Sequence, residues 1–140
     1  MSDARILEPM LAMMVLTLVV WVWLYARRIP AMYQAGKPAQ AYTTADKATE
    51  LLPDAVNFPS SNFKNLFELP VLFYATCLYL YVTGTVDALH VYTAWVFVAF
   101  RVAHSLVHCT INIVKLRFGV YAIASVALWF MIARVLLSAW

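Results

Sequence analysis

The sequence predicts an all-α integral membrane protein, a four-helix up-down-up-down bundle. Three observations predict it. Of 140 residues, 64% are hydrophobic and 12% are charged, where a soluble domain is usually about half apolar and about a quarter charged. The mean hydropathy is +0.77. The apolar residues fall into four runs, each near the ~20 residues needed to cross a bilayer, with one long and two short connections between them. The whole chain, residues 1–140, reads as a single transmembrane domain.

The first helix is expected over residues 9–25, "PMLAMMVLTLVVWVWLY". Pro9 suits a first helical turn, where a missing N–H costs nothing. Glu8 suits the positive end of the helix dipole. Trp21, Trp23 and Tyr25 read as an interfacial aromatic belt, and "ARRIP" as the stop. The N-terminus lacks the basic start and small-residue cleavage site of a signal peptide, so this run is expected to be retained as a helix. Residues 27–60 form a long polar loop. Pro30, Gly36, Pro38, Pro53 and Pro59 exclude a long helix there, although Thr44, Lys47 and Glu50 carry the capping signal of a short one over 43–52.

The second helix is expected over about 61–83, capped by Ser60 or Ser61 and kinked at Pro70 unless neighbours satisfy the freed carbonyl. The third is expected over about 86–114 and the fourth over about 117–140. Cys77 and Cys109 lie inside apolar runs and read as small buried hydrophobes. Arg27, Arg28, Lys37, Lys47, Lys64, Lys115 and Arg117 put seven of the ten basic residues at one end. The positive-inside rule then places the long loop in the cytoplasm and both termini outside it. Arg5 and Arg134 fall at the other end, the latter free to snorkel outward. The basic loop is an orientation signal and not a nucleic-acid patch.

The third helix carries the chemistry. "AFRVAHSLVHCTINIVK", residues 99–115, places Arg101, His104, His108, Asn112 and Lys115 at steps of three and four, which keeps them on one helical face. Ser105 lies beside them. At 1.5 Å per residue Arg101 is roughly 20 Å from the cytoplasmic end. Left unpaired at such a depth it costs roughly 2.5 kcal/mol or more, so it is expected to face inward. Glu68, with Asn65 one turn earlier, is the expected partner across the interface of the second and third helices. Such a pair can also register two helices without any chemistry. His104 and His108 have the i,i+4 spacing of metal ligands, but no further ligand with suitable spacing is visible, so no metal is expected.

These residues resemble the MAPEG superfamily, the membrane-associated proteins in eicosanoid and glutathione metabolism. "RVAHSLVHCTINIVKLRFGVY" is similar to that family's third-helix signature in its prostaglandin E synthase branch: Arg101-x-x-His104, then Lys115, then Arg117-x-x-x-Tyr121. "NLFELPVLF", with Asn65-x-x-Glu68 before Pro70, resembles the second-helix signature. The resemblance implies a homotrimer in a bacterial-type inner membrane, with glutathione or a lipid between subunits in the cytoplasmic half of the bilayer. It implies that Asn65, Glu68, Arg101 and His104 line the cavity, that Arg117 stabilises the glutathione thiolate, and that Tyr121 is a site tyrosine. An arginine keeps its charge when partly desolvated, and a cation near sulfur favours the reactive thiolate. Two positions depart from the pattern. Ser61 stands where enzymatic members carry an arginine, and His108 stands where a tyrosine is common.

Three readings follow. The first is a glutathione-dependent transferase or peroxidase acting on an apolar substrate, with Arg117 and Tyr121 catalytic and Asn65, Glu68, Arg101, His104 and His108 holding the ligand. The second is a non-catalytic lipid-binding protein or an accessory, scaffold-like subunit of a membrane complex, which the loss of a cation at Ser61 favours. The third is a proton path through Glu68, His104 and His108, for which the outer half of the bundle supplies almost no polar residues.

Overall fold

The computed structural model describes residues 3–139, and every regular element among them is helical. A 3-10 turn, Asp3–Ile6, leads into α1, Leu7–Gln34. Pro9, Met13, Val20 and Leu24 are its buried residues, and steps of four and seven keep them on one stripe. The helix does not stop at Tyr25 as expected but continues beyond it through Arg27, Arg28 and Pro30. Pro30 leaves the Ala26 carbonyl without its helical donor. Because Ala26 and Pro30 are both exposed, water or headgroups can take over that carbonyl. The helix ends where Gly36 adopts φ 62° and donates to the Tyr33 carbonyl at 3.2 Å.

Two short helices fill the polar loop. Thr44 caps α2, Ala45–Leu51, by accepting the Lys47 N–H at 3.3 Å. Pro53 precedes α3, Asp54–Asn65. The Asn57 amide donates to the carbonyls of Thr49 (3.3 Å), Leu52 (3.1 Å) and Pro53 (3.3 Å), and so fastens α2 to α3.

The expected second helix over 61–83 is two helices. α3 begins earlier, at Asp54, and a break at residues 66–68 separates it from α4, Leu69–Thr83. Pro70 falls in the first turn of α4, where it needs no donor. Gly84, at φ 65°, ends α4, and Thr85 donates to the Leu80 carbonyl at 3.2 Å. The third helix of the sequence reading is α5, Ala88–Cys109, shorter at its C-terminal end than the expected 114. The fourth is α6, Val114–Ala139, which starts three residues earlier than expected. Trp140 lies outside the described residues.

α5 packs along α6, α1 lies against α3, α4 and α5, and α4 also meets α6. Met13, Val20, Phe73, Phe97, Leu128 and Met131 fill the centre, with Phe73 and Phe97 stacked at 4.4 Å. Outward-facing Leu11, Val15, Leu18, Val82 and Val126 are exposed. In lipid such residues need no cover, and helix association rests on close packing and interhelical hydrogen bonds. Asp3–Gln34, Asp54–Thr83 and Val114–Ser138 are long and apolar enough to cross a membrane. α5 carries the polar residues and is packed among them.

At the far end of the bundle Arg134 reaches an exposed carboxylate. Its guanidinium donates to both Asp87 oxygens, at 3.1 and 2.7 Å. Asp87 also caps α5 by accepting the His90 N–H at 2.8 Å. These donors, Arg134 first, hold the Asp87 carboxyl well below the usual carboxylate range against the opposing effect of partial burial. One carboxylate thus starts α5 and ties it to α6.

Candidate functional site

Three of the five stripe residues share a buried face of α5: Arg101 is 0% exposed, His104 3% and His108 8%. Ser105 is buried beside them. Asn112 and Lys115 leave the stripe because α5 ends at Cys109. Thr110 folds its hydroxyl back to the Leu106 carbonyl at 2.5 Å, and Asn112 turns the chain at φ 46°. Asparagine tolerates this left-handed conformation better than most residues. Its N–H closes the turn on the Val107 carbonyl at 2.8 Å. Lys115 is exposed on the first turn of α6. Arg101 is therefore eight residues from the helix end, about 12 Å and not roughly 20 Å, and closer to water than the longer helix implied.

Glu68 is not the direct partner of Arg101. Its side chain is exposed in the α3–α4 break. Arg101 instead donates from one terminal nitrogen to the Asn65 side-chain oxygen at 2.6 Å, and the Asn65 amide donates to Glu68 Oε2 at 2.9 Å. The amide sits between cation and carboxylate and satisfies both, and charge-assisted bonds of this kind are the strong ones. The helix break contributes as well. With α4 restarting at Leu69, the Asn65 carbonyl lies near the Glu68 N–H (3.3 Å) and the Arg101 guanidinium (3.5 Å). Irregular backbone at this depth is tolerated when protein groups satisfy it.

Tyr121 of α6 completes the cluster. Its ring centre is 5.9 Å from the guanidinium carbon of Arg101, within cation–π range, and 5.8 Å from the His104 ring. His104 meets His108 edge to face at 5.4 Å. Arg117, four residues before Tyr121, donates to the Asn112 side-chain oxygen at 2.6 Å.

Two hollows open among these groups. One, of about 230 Å³, is lined by Asn65, His104, Val114, Arg117, Phe118 and Tyr121. The other, of about 380 Å³, includes Thr49, Asp54, Ser61, His108, Asn112 and Arg117 in its wall. Arg117 is common to both. A larger pocket, of about 510 Å³, lies at the end of α1 between Met32, Tyr33 and Tyr42, and none of the expected site residues line it. Of the seven expected residues, Asn65, His104, His108, Arg117 and Tyr121 line the two hollows, Arg101 lies against Asn65 and Tyr121, and Glu68 is the acceptor of the Asn65 amide.

Several buried nitrogens around the hollows have no hydrogen-bond partner: Nε and one terminal nitrogen of Arg101, Nδ1 of His104 and Nδ1 of His108. A buried polar group left unpaired costs about 1–3 kcal/mol, and these nitrogens leave the cluster with unmet hydrogen-bonding capacity. The sequence reading passed over two members. Asn62 is fully buried and donates to Cys109 Sγ at 3.5 Å, tying α3 to the end of α5. Its position one turn before Asn65 was the available signal. Phe118, beside Arg117, gives the smaller hollow an apolar wall.

A helical bundle with membrane-length apolar helices and a cationic, hydrogen-bonding cluster toward one end is an integral membrane protein with a polar cleft inside its helices. The family model described as the MAPEG family matches residues 6–137, and the chain belongs to that family. Neither the curated proteins nor the solved structures return a match to it.

Proposed function

We propose that the protein is a glutathione-dependent transferase or peroxidase of the MAPEG family, nearest its prostaglandin E synthase branch. In this reading it acts on an apolar substrate drawn from the bilayer and works as a homotrimer in a bacterial inner membrane. The basic end and the loop after α1 face the cytoplasm, and the termini face the opposite side. The observation that carries the reading is Arg101: fully buried, satisfied at one terminal nitrogen by Asn65, bare at two others, and packed against Asn65 and Tyr121, which line a hollow.

Glutathione fits the residues present. Its carboxylates call for guanidinium and imidazole donors, which Arg101 and His104 supply. Its ammonium calls for a carboxylate, which Glu68 or Asp54 supplies. When bound, glutathione contributes a thiol that adds to an electrophilic carbon or reduces a peroxide. Arg117 stabilises the thiolate by charge, and Asn112 aims its guanidinium. Tyr121, against both Arg101 and His104, offers a hydroxyl donor for the developing charge. Phe118 and Val114 give the electrophile an apolar seat.

The test is calorimetric titration of the purified protein with glutathione, with conjugation of an activated aryl halide followed in parallel. Saturable heat is expected in the wild type. Arg117→Ala should keep that heat and lose about a hundredfold in conjugation rate, the usual cost of removing a group that stabilises developing negative charge. Absence of heat at millimolar glutathione refutes the reading. Ser61, in the wall of the larger hollow, favours a second reading in that event: a non-catalytic lipid-binding site, or an accessory, scaffold-like subunit of a membrane complex.

A further inference from the structure

His108 has no role in the chemistry assigned so far, yet its place is a particular one. It projects from the last turn of α5, is 8% exposed, and shares the larger hollow with Arg117. Its Nδ1 is sealed from water with no hydrogen-bond partner. The charged and titratable groups around it come from three helices: Asp54 of α3 and Arg117 of α6 in the same hollow, and Arg101 and His104 earlier on α5. The imidazole thus lines the same hollow as the guanidinium common to both. A neutral imidazole has a lone pair that can take a proton, and an already protonated guanidinium has none.

We propose that His108 is the proton acceptor for the thiol held beside Arg117, a catalytic residue distinct from the arginine that stabilises the resulting charge. The inference rests on the reading of the cleft as a glutathione site. His108 takes the thiol proton at an imidazole nitrogen while the S–H bonding pair stays on sulfur, opposite Arg117. The imidazolium then returns its proton to the leaving group of the electrophile or to water, which restores the neutral ring. No oxidant, reductant or metal enters the balance. Two groups divide the work: the arginine supplies a fixed charge and the histidine a place for the proton.

The experiment follows the ultraviolet absorbance of the bound thiolate against pH, alongside glutathione calorimetry, in wild type, His108→Gln, His108→Asn, His108→Ala and Arg117→Ala. In the wild type the thiolate is expected to form with a midpoint below that of free glutathione. His108→Gln and His108→Asn should bind glutathione within about threefold of wild type, move the midpoint up by at least one pH unit, and lower kcat about a hundredfold, within the range of general-base catalysis. Added imidazole should restore part of the rate to His108→Ala and none to Arg117→Ala. Two amide variants guard against one that fails to fold. Retained heat with an unmoved midpoint in either amide variant overturns the role of His108 alone. Absence of glutathione heat in the wild type overturns the cleft reading and this inference with it.

Discussion

The bond between Arg101 and Asn65 is the interaction on which the buried cluster depends, and its weight can be worked from its geometry. Arg101 is fully buried, its best acceptor is the Asn65 side-chain oxygen at 2.6 Å, and the Asn65 backbone oxygen at 3.5 Å is a weak second. Asn65→Ala removes the first and leaves the second. A hydrogen bond to a charged group contributes about 1.5–3 kcal/mol, and stranding a buried charge adds to the loss. The expected destabilisation is about 3 kcal/mol. Arg101→Met removes the charge while keeping a long apolar stem, and should cost less because no uncompensated cation remains. The two changes belong in a double-mutant cycle, read by equilibrium unfolding in mixed detergent micelles. Residues that share such a bond show coupling of about 0.5–3 kcal/mol, and here a value near 2 is expected. Additive losses, with coupling under about 0.5 kcal/mol, would refute the claim that Asn65 is what makes Arg101 tolerable inside the bundle.

Two further outcomes follow from other parts of the structure. The depressed Asp87 carboxyl gives a pH dependence of definite sign: its stabilisation is complete above the ordinary carboxylate value of about 3.9 and is lost as pH falls below it. Asp87→Asn should flatten that part of the profile, and thermal melts between pH 3 and 6 check it. Asn57→Ala should free three carbonyls at the α2–α3 junction and cost about 1–3 kcal/mol. The loss should show as faster proteolysis around residues 43–54, with the helices of the bundle unaffected.

Much of this architecture was legible before any coordinates. Apolar runs of spanning length announce helices because lipid offers the backbone no other partner. Thr44 announced its own cap, and the spacing of Arg101, His104 and His108 announced a shared face. What the sequence left open depended on contacts between distant residues. Pro70 signalled a disturbance, but the break settled at 66–68, where Arg101, thirty-six residues beyond Asn65, takes part in satisfying the freed backbone. Glu68 looked like the counter-ion by charge alone. Spacing cannot say which of two side chains one turn apart reaches across, and the shorter, neutral Asn65 did. The end of α5 was missed because "CTINIVK" continues the helical period. Only the turn at Asn112, closed on Val107, shows that the period had lapsed. The run of α1 past Pro30 reflects exposure: a proline is disruptive where no water can replace the lost bond, and there it can.

Asn112 combines two duties that are usually kept apart. Its backbone makes the left-handed corner between α5 and α6, and its side chain holds Arg117. A glycine there would preserve the corner and release the guanidinium. An aspartate would preserve both the corner and the grip while cancelling the cation's field. One codon outside either helix therefore sets how much positive charge the two hollows share, so mutational drift in an inconspicuous connector could tune or extinguish their affinity for anions with the bundle left intact.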